Sequence, residues 1–223
     1  MAMDPNLSSL LKWSVENSST PSSDPSDPSD PSTKQQPPRS TLTPEALSAL
    51  LGGPSDADLM LSSMTSVLST DPSLTLSDKL TAFDNFEQLI ENLDNANNLA
   101  PLSLWTPLLS CLSHEEGEIR RMAAWCVGTA VQNNVSCQER LLAMGGVEML
   151  LKLAMDAEAG EGVRRKAVYA VSSAVRNYQP GVDVLTTELG KLEGWKEFGE
   201  KVDAGDMEAV DVVIEKLREE AMS

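Results

Sequence analysis

The sequence predicts an all-α protein, a helical solenoid preceded by a disordered N-terminal tail. Three observations carry that expectation. Hydrophobic residues make up 41% of the chain but aromatic ones only 4%. Leu, Ala, Val and Met therefore build the core, and they suit helices better than sheets. The stretch IRRMAAWCVGTAVQN (119–133) matches VRRKAVYAVSSAVRN (163–177) at seven of fifteen positions, at an offset of 44 residues. Pro and Ser dominate residues 18–43, with SDPSDPSDPS as a low-complexity repeat. Such a segment cannot bury enough apolar surface to offset its ordering entropy.

Taken in order, residues 1–17 form a short apolar tag in which Leu10, Leu11, Trp13 and Val15 fall within six positions. It is too short for a core, so it docks either on the protein's own body or on something else. The linker, 18–43, is held out of the helical region by its Asp-Pro and Ser-Pro steps. Structure is expected to begin with Thr43 as N-cap, Pro44 as first helical residue and Gly52-Gly53 as a stop. Ser55 with Asp58, and Thr75 with Asp78, have the spacing of capping boxes. Leu76, Leu80, Phe83, Phe86, Leu89, Ile90 and Leu93 fall on one helical stripe.

The two matching segments each follow an acidic, Gly-containing turn, SHEEGE and AEAGEG. Between them a shorter helix, VEMLLKLAM, is entered through Gly145-Gly146. A fainter copy, FDNFEQLIENLDN then LWTPLLSCL, lies upstream. A period near 44 residues with two or three helices per unit marks an armadillo or HEAT-like solenoid, here expected over 44–190 and followed by an acidic helical cap over 191–223. Ala123, Ala124, Ala130, Ala167, Ala170 and Ala174 would let its helices approach closely.

The formal net charge is −17, of which the first forty residues, with three basic and five acidic groups, supply −2. A body carrying −15 repels phosphate backbones, so nucleic acid is not an expected partner. No run of about 18 apolar residues exists to span a membrane, and the N-terminus lacks the charged and apolar regions of a signal peptide. Cys111, Cys126 and Cys137 are odd in number, which points to free thiols in a reducing cytoplasm. Their spacings of 15 and 11 match no common zinc pattern.

Chemistry is sparse. The single histidine, His114, reads as a cap or surface residue. Glu115, Glu116 and Glu118 read as a solvated helix start that complements the dipole rather than as a metal site. The paired glycines of LLGGP and AMGGV follow no strand and offer no phosphate loop. The expectation is a binding protein, monomeric, without cofactor or metal, and not an enzyme. The polar groups Glu91, Asn92, Asp94, Asn95, Asn97 and Asn98 crowd one helix end, Asn133-Asn134 the corresponding end of the next unit, and Asn177-Tyr178 the third. Helix capping explains Asn at such places; recurrence at one edge of three units equally suggests a contact surface.

FDNFEQLIENLDNANNLAPLSLW, GTAVQNN and VRRKAVYAVSSAVRN together resemble the armadillo-type nucleotide-exchange factors of the 70-kDa heat-shock chaperone. The similarity is to their fungal cytosolic members, whose animal relative is the heat-shock-protein-binding protein. LTPEALSALLGGPSDADLM and LLKWSVENS also resemble that family's leading segment and tag. After Tyr178, QPGVDVLTTELGKLEGWKEFGEKV departs from the repeat, so the last repeat is expected to be degraded or replaced by a cap.

The resemblance implies a solenoid that grips one lobe of the chaperone's ATPase domain, so that ADP leaves, and a tag that mimics a client and promotes client release. With it, Asp94, Asn95, Ala96 and Asn98 become the expected centre of the contact, joined by the edge residues Glu91, Asn92, Asn133, Asn134 and Asn177, over a supporting core of Phe83, Phe86, Leu89 and Ile90. Arginine at Ala96 or Asn95 is then expected to weaken docking with the fold intact. The rival expectation is a general armadillo scaffold or receptor for basic peptides. Such receptors set Trp and Asn one turn apart, whereas Thr129 follows Trp125 here and Ser173 follows Tyr169.

Overall fold

The computed structural model describes residues 52–196 and 202–223. The tag, the linker and the helix expected after Thr43 lie outside the described residues. Ser55–Ser223 make one compact unit.

Both expected capping boxes form. Asp56–Leu68 is helix α1, capped by Ser55, whose hydroxyl accepts from the Asp58 N–H while the Asp58 carboxylate accepts from the Ser55 N–H. Leu76–Ile90 is α2, with Thr75 and Asp78 in the same reciprocal arrangement. α2 stops earlier than its apolar stripe suggests, because Asn92 caps a new short helix, α3 (Leu93–Asn98). Phe83, Phe86 and Ile90 are buried and Leu89 packs against them. The two ends of the stripe, Leu76 and Leu93, are instead exposed, at 39% and 58%, and Leu93 belongs to the next helix.

The chain continues through α4 (Trp105–Ser110) and a 3₁₀ turn (Cys111–Ser113) into α5 (Gly117–Val131). Then come α6 (Val135–Ala143), α7 (Gly146–Ala154) and α8 (Glu161–Val175). Finally there are α9 (Gln179–Leu189) and α10 (Met207–Met222). Gly145 caps α7 at φ 69°, a left-handed conformation that a side chain would strain.

The long helices α2, α5, α8 and α10 begin at residues 76, 117, 161 and 207. Each packs against the next, giving a row of four. The acidic C-terminal helix α10 therefore lies on α8 as α8 lies on α5, and the row continues past the departure after Tyr178. Shorter helices α6, α7 and α9 pack against the long ones and one another, and one buried cluster extends from Met60 to Ala221, as in a stacked-repeat solenoid.

The α5–α8 contact shows how small residues set the spacing. Ala123, Ala124, Ala130, Ala167, Ala170 and Ala174 are all buried. A Cβ at Gly128 would stand 2.5 Å from Tyr169 Cε1 and 3.1 Å from Ala170 Cα, so the close crossing requires glycine there.

Candidate functional site

The first three long helices, α2, α5 and α8, each end in a tight polar turn, and these turns occupy corresponding places in successive repeats. At the first, the Asn92 side chain accepts from the N–H groups of Asp94 (2.9 Å) and Asn95 (3.4 Å). Asn95 turns inward: its Nδ2 donates to Asp56 Oδ2 at 2.8 Å and to the Leu89 carbonyl at 3.0 Å, tying the starts of α1 and α3 to the end of α2. Ala96 is buried beneath α6, and its carbonyl accepts from the Cys137 thiol at 3.4 Å. At the second turn Asn133 sits at φ 53°, and Asn177 repeats this at φ 55° in the third. Asn134 is buried, accepting from the Cys137 N–H at 3.3 Å and donating to Cys137 Sγ at 3.1 Å.

These positions correct the expected contact set. Asn95, Ala96 and Asn134 have relative exposures of 7%, 2% and 5%, and they brace the edge from within. The reason is tertiary: α1 covers Asn95 and α6 covers Ala96. An arginine at Ala96 would enter a packed interior. Glu91, Asn92, Asp94 and Asn97 are exposed, Asn98 is half-buried, and Asn133 and Asn177 are exposed. Asn92, Asn133, Asn134 and Asn177 all perform the capping or left-handed roles that Asn favours. Sequence reasoning missed Gln138, 3% exposed, whose Nε2 donates at 3.1 Å to the carbonyls of both Ser173 and Arg176.

A second surface lies along the row of long helices. Trp125 on α5 and Tyr169 on α8 are equivalent residues of neighbouring repeats, and both are half-exposed. Lys166 Nζ stands 3.6 Å from the Trp125 ring centroid and 5.5 Å from that of Tyr169, a cation held between two aromatic faces. Burial, and secondarily the Arg121 guanidinium, pull the Lys166 ammonium below its usual pKa. The Tyr169 hydroxyl donates to Gln132 Oε1 at 3.3 Å. The Thr129 hydroxyl donates to the buried Glu87 carboxylate at 2.7 Å. Arg121 pairs with Glu118 at 2.7 Å, Arg165 with Glu161, and Arg176 with Asp211 of α10. The surface thus groups cations and aromatics on a chain of net charge −17. Composition hides this, because the 44-residue repeat must be folded before Lys166 meets Trp125. Thr129 and Ser173 carry hydroxyls rather than the amide of a peptide-receptor ladder, and the first is engaged by Glu87 while the second is buried.

The groups that could carry chemistry are otherwise occupied. His114 Nδ1 accepts from the Glu116 N–H at 3.0 Å, and Arg120 donates to the His114 and Glu115 carbonyls at 2.7 and 2.9 Å, which builds the turn into α5. Cys111, Cys126 and Cys137 are free and buried. Burial pushes the Cys111 and Cys137 thiols up to about 11 and holds Cys126 well above the usual range, so all three are poor nucleophiles. Among the described residues no group of His, Cys, Asp or Glu is placed to hold a metal, and no helix is long and apolar enough to cross a membrane.

Comparison with known proteins is consistent with this binding architecture. Residues 7–99 match the family model described as nucleotide exchange factor Fes1, and 95–217 match that of the SIL1/FES1/HPBP1 C-terminal domain. The chain is 60% identical over 217 residues to a Gibberella zeae protein named Hsp70 nucleotide exchange factor FES1, covering 97% of each chain. It is 50% identical over 245 residues to the Neurospora crassa Hsp70 nucleotide exchange factor fes-1, covering 99% of this chain and 100% of that one. The Coccidioides immitis protein of the same name is 51% identical over 220 residues, covering 97% and 99%. Matched by both models and aligned end to end with these relatives, the chain belongs to the Fes1 family of nucleotide exchange factors.

Proposed function

We propose that this protein is a co-chaperone of the cytoplasm that binds the ATPase domain of a 70-kDa heat-shock chaperone and promotes ADP release. The observation that carries this reading is end-to-end identity of 60% with a protein named for that activity. The fold supports it with a helical repeat stack that presents two candidate surfaces, a turn edge braced from within and the long-helix face. The mechanism is differential binding. An exchange factor shifts the chaperone towards its open-cleft state only by as much as it prefers that state. No bond is made or broken by the factor itself, which acts as a monomer, without cofactor, and not as an enzyme or a nucleic-acid binder.

In this reading the chain divides into a client-mimicking tag (1–17), a linker (18–43), the repeats (44–190) and a C-terminal cap (191–223). The chaperone meets the exposed residues of the turn edge, Glu91, Asn92, Asp94, Asn133 and Asn177, with the half-buried Asn98, and the Trp125–Lys166–Tyr169 surface. The tag, Leu10, Leu11, Trp13 and Val15, competes with bound client. Burying four such side chains gains about 6–12 kcal/mol, and ordering six backbone residues costs about as much. The tag alone therefore binds weakly and acts through its tether.

The test follows labelled ADP and a fluorescent client peptide in parallel on the purified chaperone. The full chain should accelerate both releases. Deleting residues 1–40, or combining Leu11→Ser with Trp13→Ser, should leave ADP release largely intact and slow client release. An ADP release rate unchanged by the full chain would overturn the exchange-factor reading.

A further inference from the structure

The three most exposed large hydrophobic side chains among the described residues are Leu93 at 58%, Val212 at 57% and Val135 at 55%. Two of them occupy one structural position. Leu93 is the first residue of α3 and Val135 the first of α6, each directly after the polar turn that closes a long helix. The two helices touch, since the Cys137 thiol bonds the Ala96 carbonyl. Neither Leu93 nor Val135 belongs to the core or packs against it. A first helical turn gains nothing from an exposed Leu or Val, so the fold does not account for the pair.

Their presentation is rigid. Asn95 anchors α3 to α1 and α2, Asn134 caps α6, and Gln138 fixes α6 to the end of α8. The buried polar residues therefore hold two apolar side chains outward in fixed positions, which lowers the ordering cost of a contact. In the third repeat the equivalent position is Gln179. Its side chain donates to the Val202 carbonyl and accepts from the Ala204 N–H, both at 2.8 Å, so the apolar row stops there.

We propose that Leu93 and Val135 are the apolar anchors by which the turn edge docks on the chaperone's ATPase domain, against an apolar patch with a basic rim. This rests on the exchange-factor reading and names contacts within it. Charge argues for that occupant. Glu91, Asp94 and Glu139 are exposed around the pair, with Arg140 the one cation on α3 and α6. A second copy of the chain would set these carboxylates against themselves on a protein of net charge −17.

The experiment compares the full chain with Leu93→Ser/Val135→Ser, and with Leu68→Ser as control. Leu68 is 46% exposed and lies at the end of α1 remote from Asp56, hence away from the edge. Affinity for the ADP-loaded chaperone is measured by calorimetry, ADP release by fluorescence, and folding by thermal melting. The double variant should melt like the parent and bind about 30-fold more weakly, while Leu68→Ser binds normally. Leu93→Met with Val135→Ile should retain parental affinity, and keeps the proposal testable if the serine variants melt early. Equal affinity of the double serine variant and the parent, or equal weakening by Leu68→Ser, overturns the assignment. A parent dimer that the double variant dissolves without loss of chaperone affinity also overturns it, by making the edge a self-contact. If the parent binds but does not speed ADP release, the exchange-factor reading fails while the affinities still decide the anchors. If the parent does not bind at all, both fail.

Discussion

The turn edge and the long-helix face come from the same repeat, yet they use it in opposite ways. On the edge, the residues that recur most visibly in sequence, the asparagines, largely serve the framework. Asn95 and Asn134 are buried, and Asn133 and Asn177 take left-handed backbone. The exposed apolar residues are their neighbours, Leu93 and Val135. On the long-helix face the recurring residues are themselves on display, with Trp125 and Tyr169 one repeat apart and Lys166 between them. The edge carries acid around apolar groups; the face carries Lys166 and ion-paired arginines beside aromatic ones. A repeated polar residue is thus open to a partner only where no neighbouring helix covers it.

The largest effect that separates the two regions is expected at Ala96. Ala96→Arg places an unpaired cation in the interior under α6, and should cost about 3–5 kcal/mol of stability by chemical denaturation. Loss of chaperone binding by that variant would follow from loss of fold. Parental stability would return Ala96 to the surface and break the distinction between brace and contact.

A smaller effect is expected at Asn133. Asn133→Ala loses a residue that tolerates φ 53° and should cost about 1 kcal/mol, whereas Asn133→Gly should be nearly neutral. Thermal melts of the pair decide this. An alanine variant as stable as the glycine variant would remove the backbone role and leave binding as the reason for the residue.

The smallest effect on stability is expected on the long-helix face. Lys166→Gln removes the cation over Trp125 and should change stability by less than about 1 kcal/mol. It should also weaken chaperone binding and flatten its dependence on salt, because the charge is offered to a partner rather than spent on the fold. Binding measured at two ionic strengths checks this; an unchanged salt slope would assign Lys166 to packing alone.

Local chemistry was legible in the sequence. The Ser55–Asp58 and Thr75–Asp78 boxes, the Gly145 entry to α7 and the 44-residue match all fold as their spacing predicts, because each depends on residues a few positions apart or on exact repetition. What the sequence withheld was set by neighbours far along the chain. Ala96 looks like a surface residue until Cys137, 41 residues away, lies over it. Leu93 looks like the end of an apolar stripe until Asn92 breaks the helix and turns it outward. The C-terminal helix looks like a departure from the repeat because its sequence does not match the other long helices, yet Val210, Val213, Ile214 and Leu217 bury as it packs against α8.

Hydroxyl-radical footprinting of the full chain, free and bound to the ADP-loaded chaperone, tests most directly whether one partner engages both surfaces. Leu93 and Val135 on the edge, and Trp125 and Tyr169 on the face, should become protected together, while Leu68 reacts as in the free protein. Unchanged reactivity at all four residues, or protection centred on Leu68, would contradict the account.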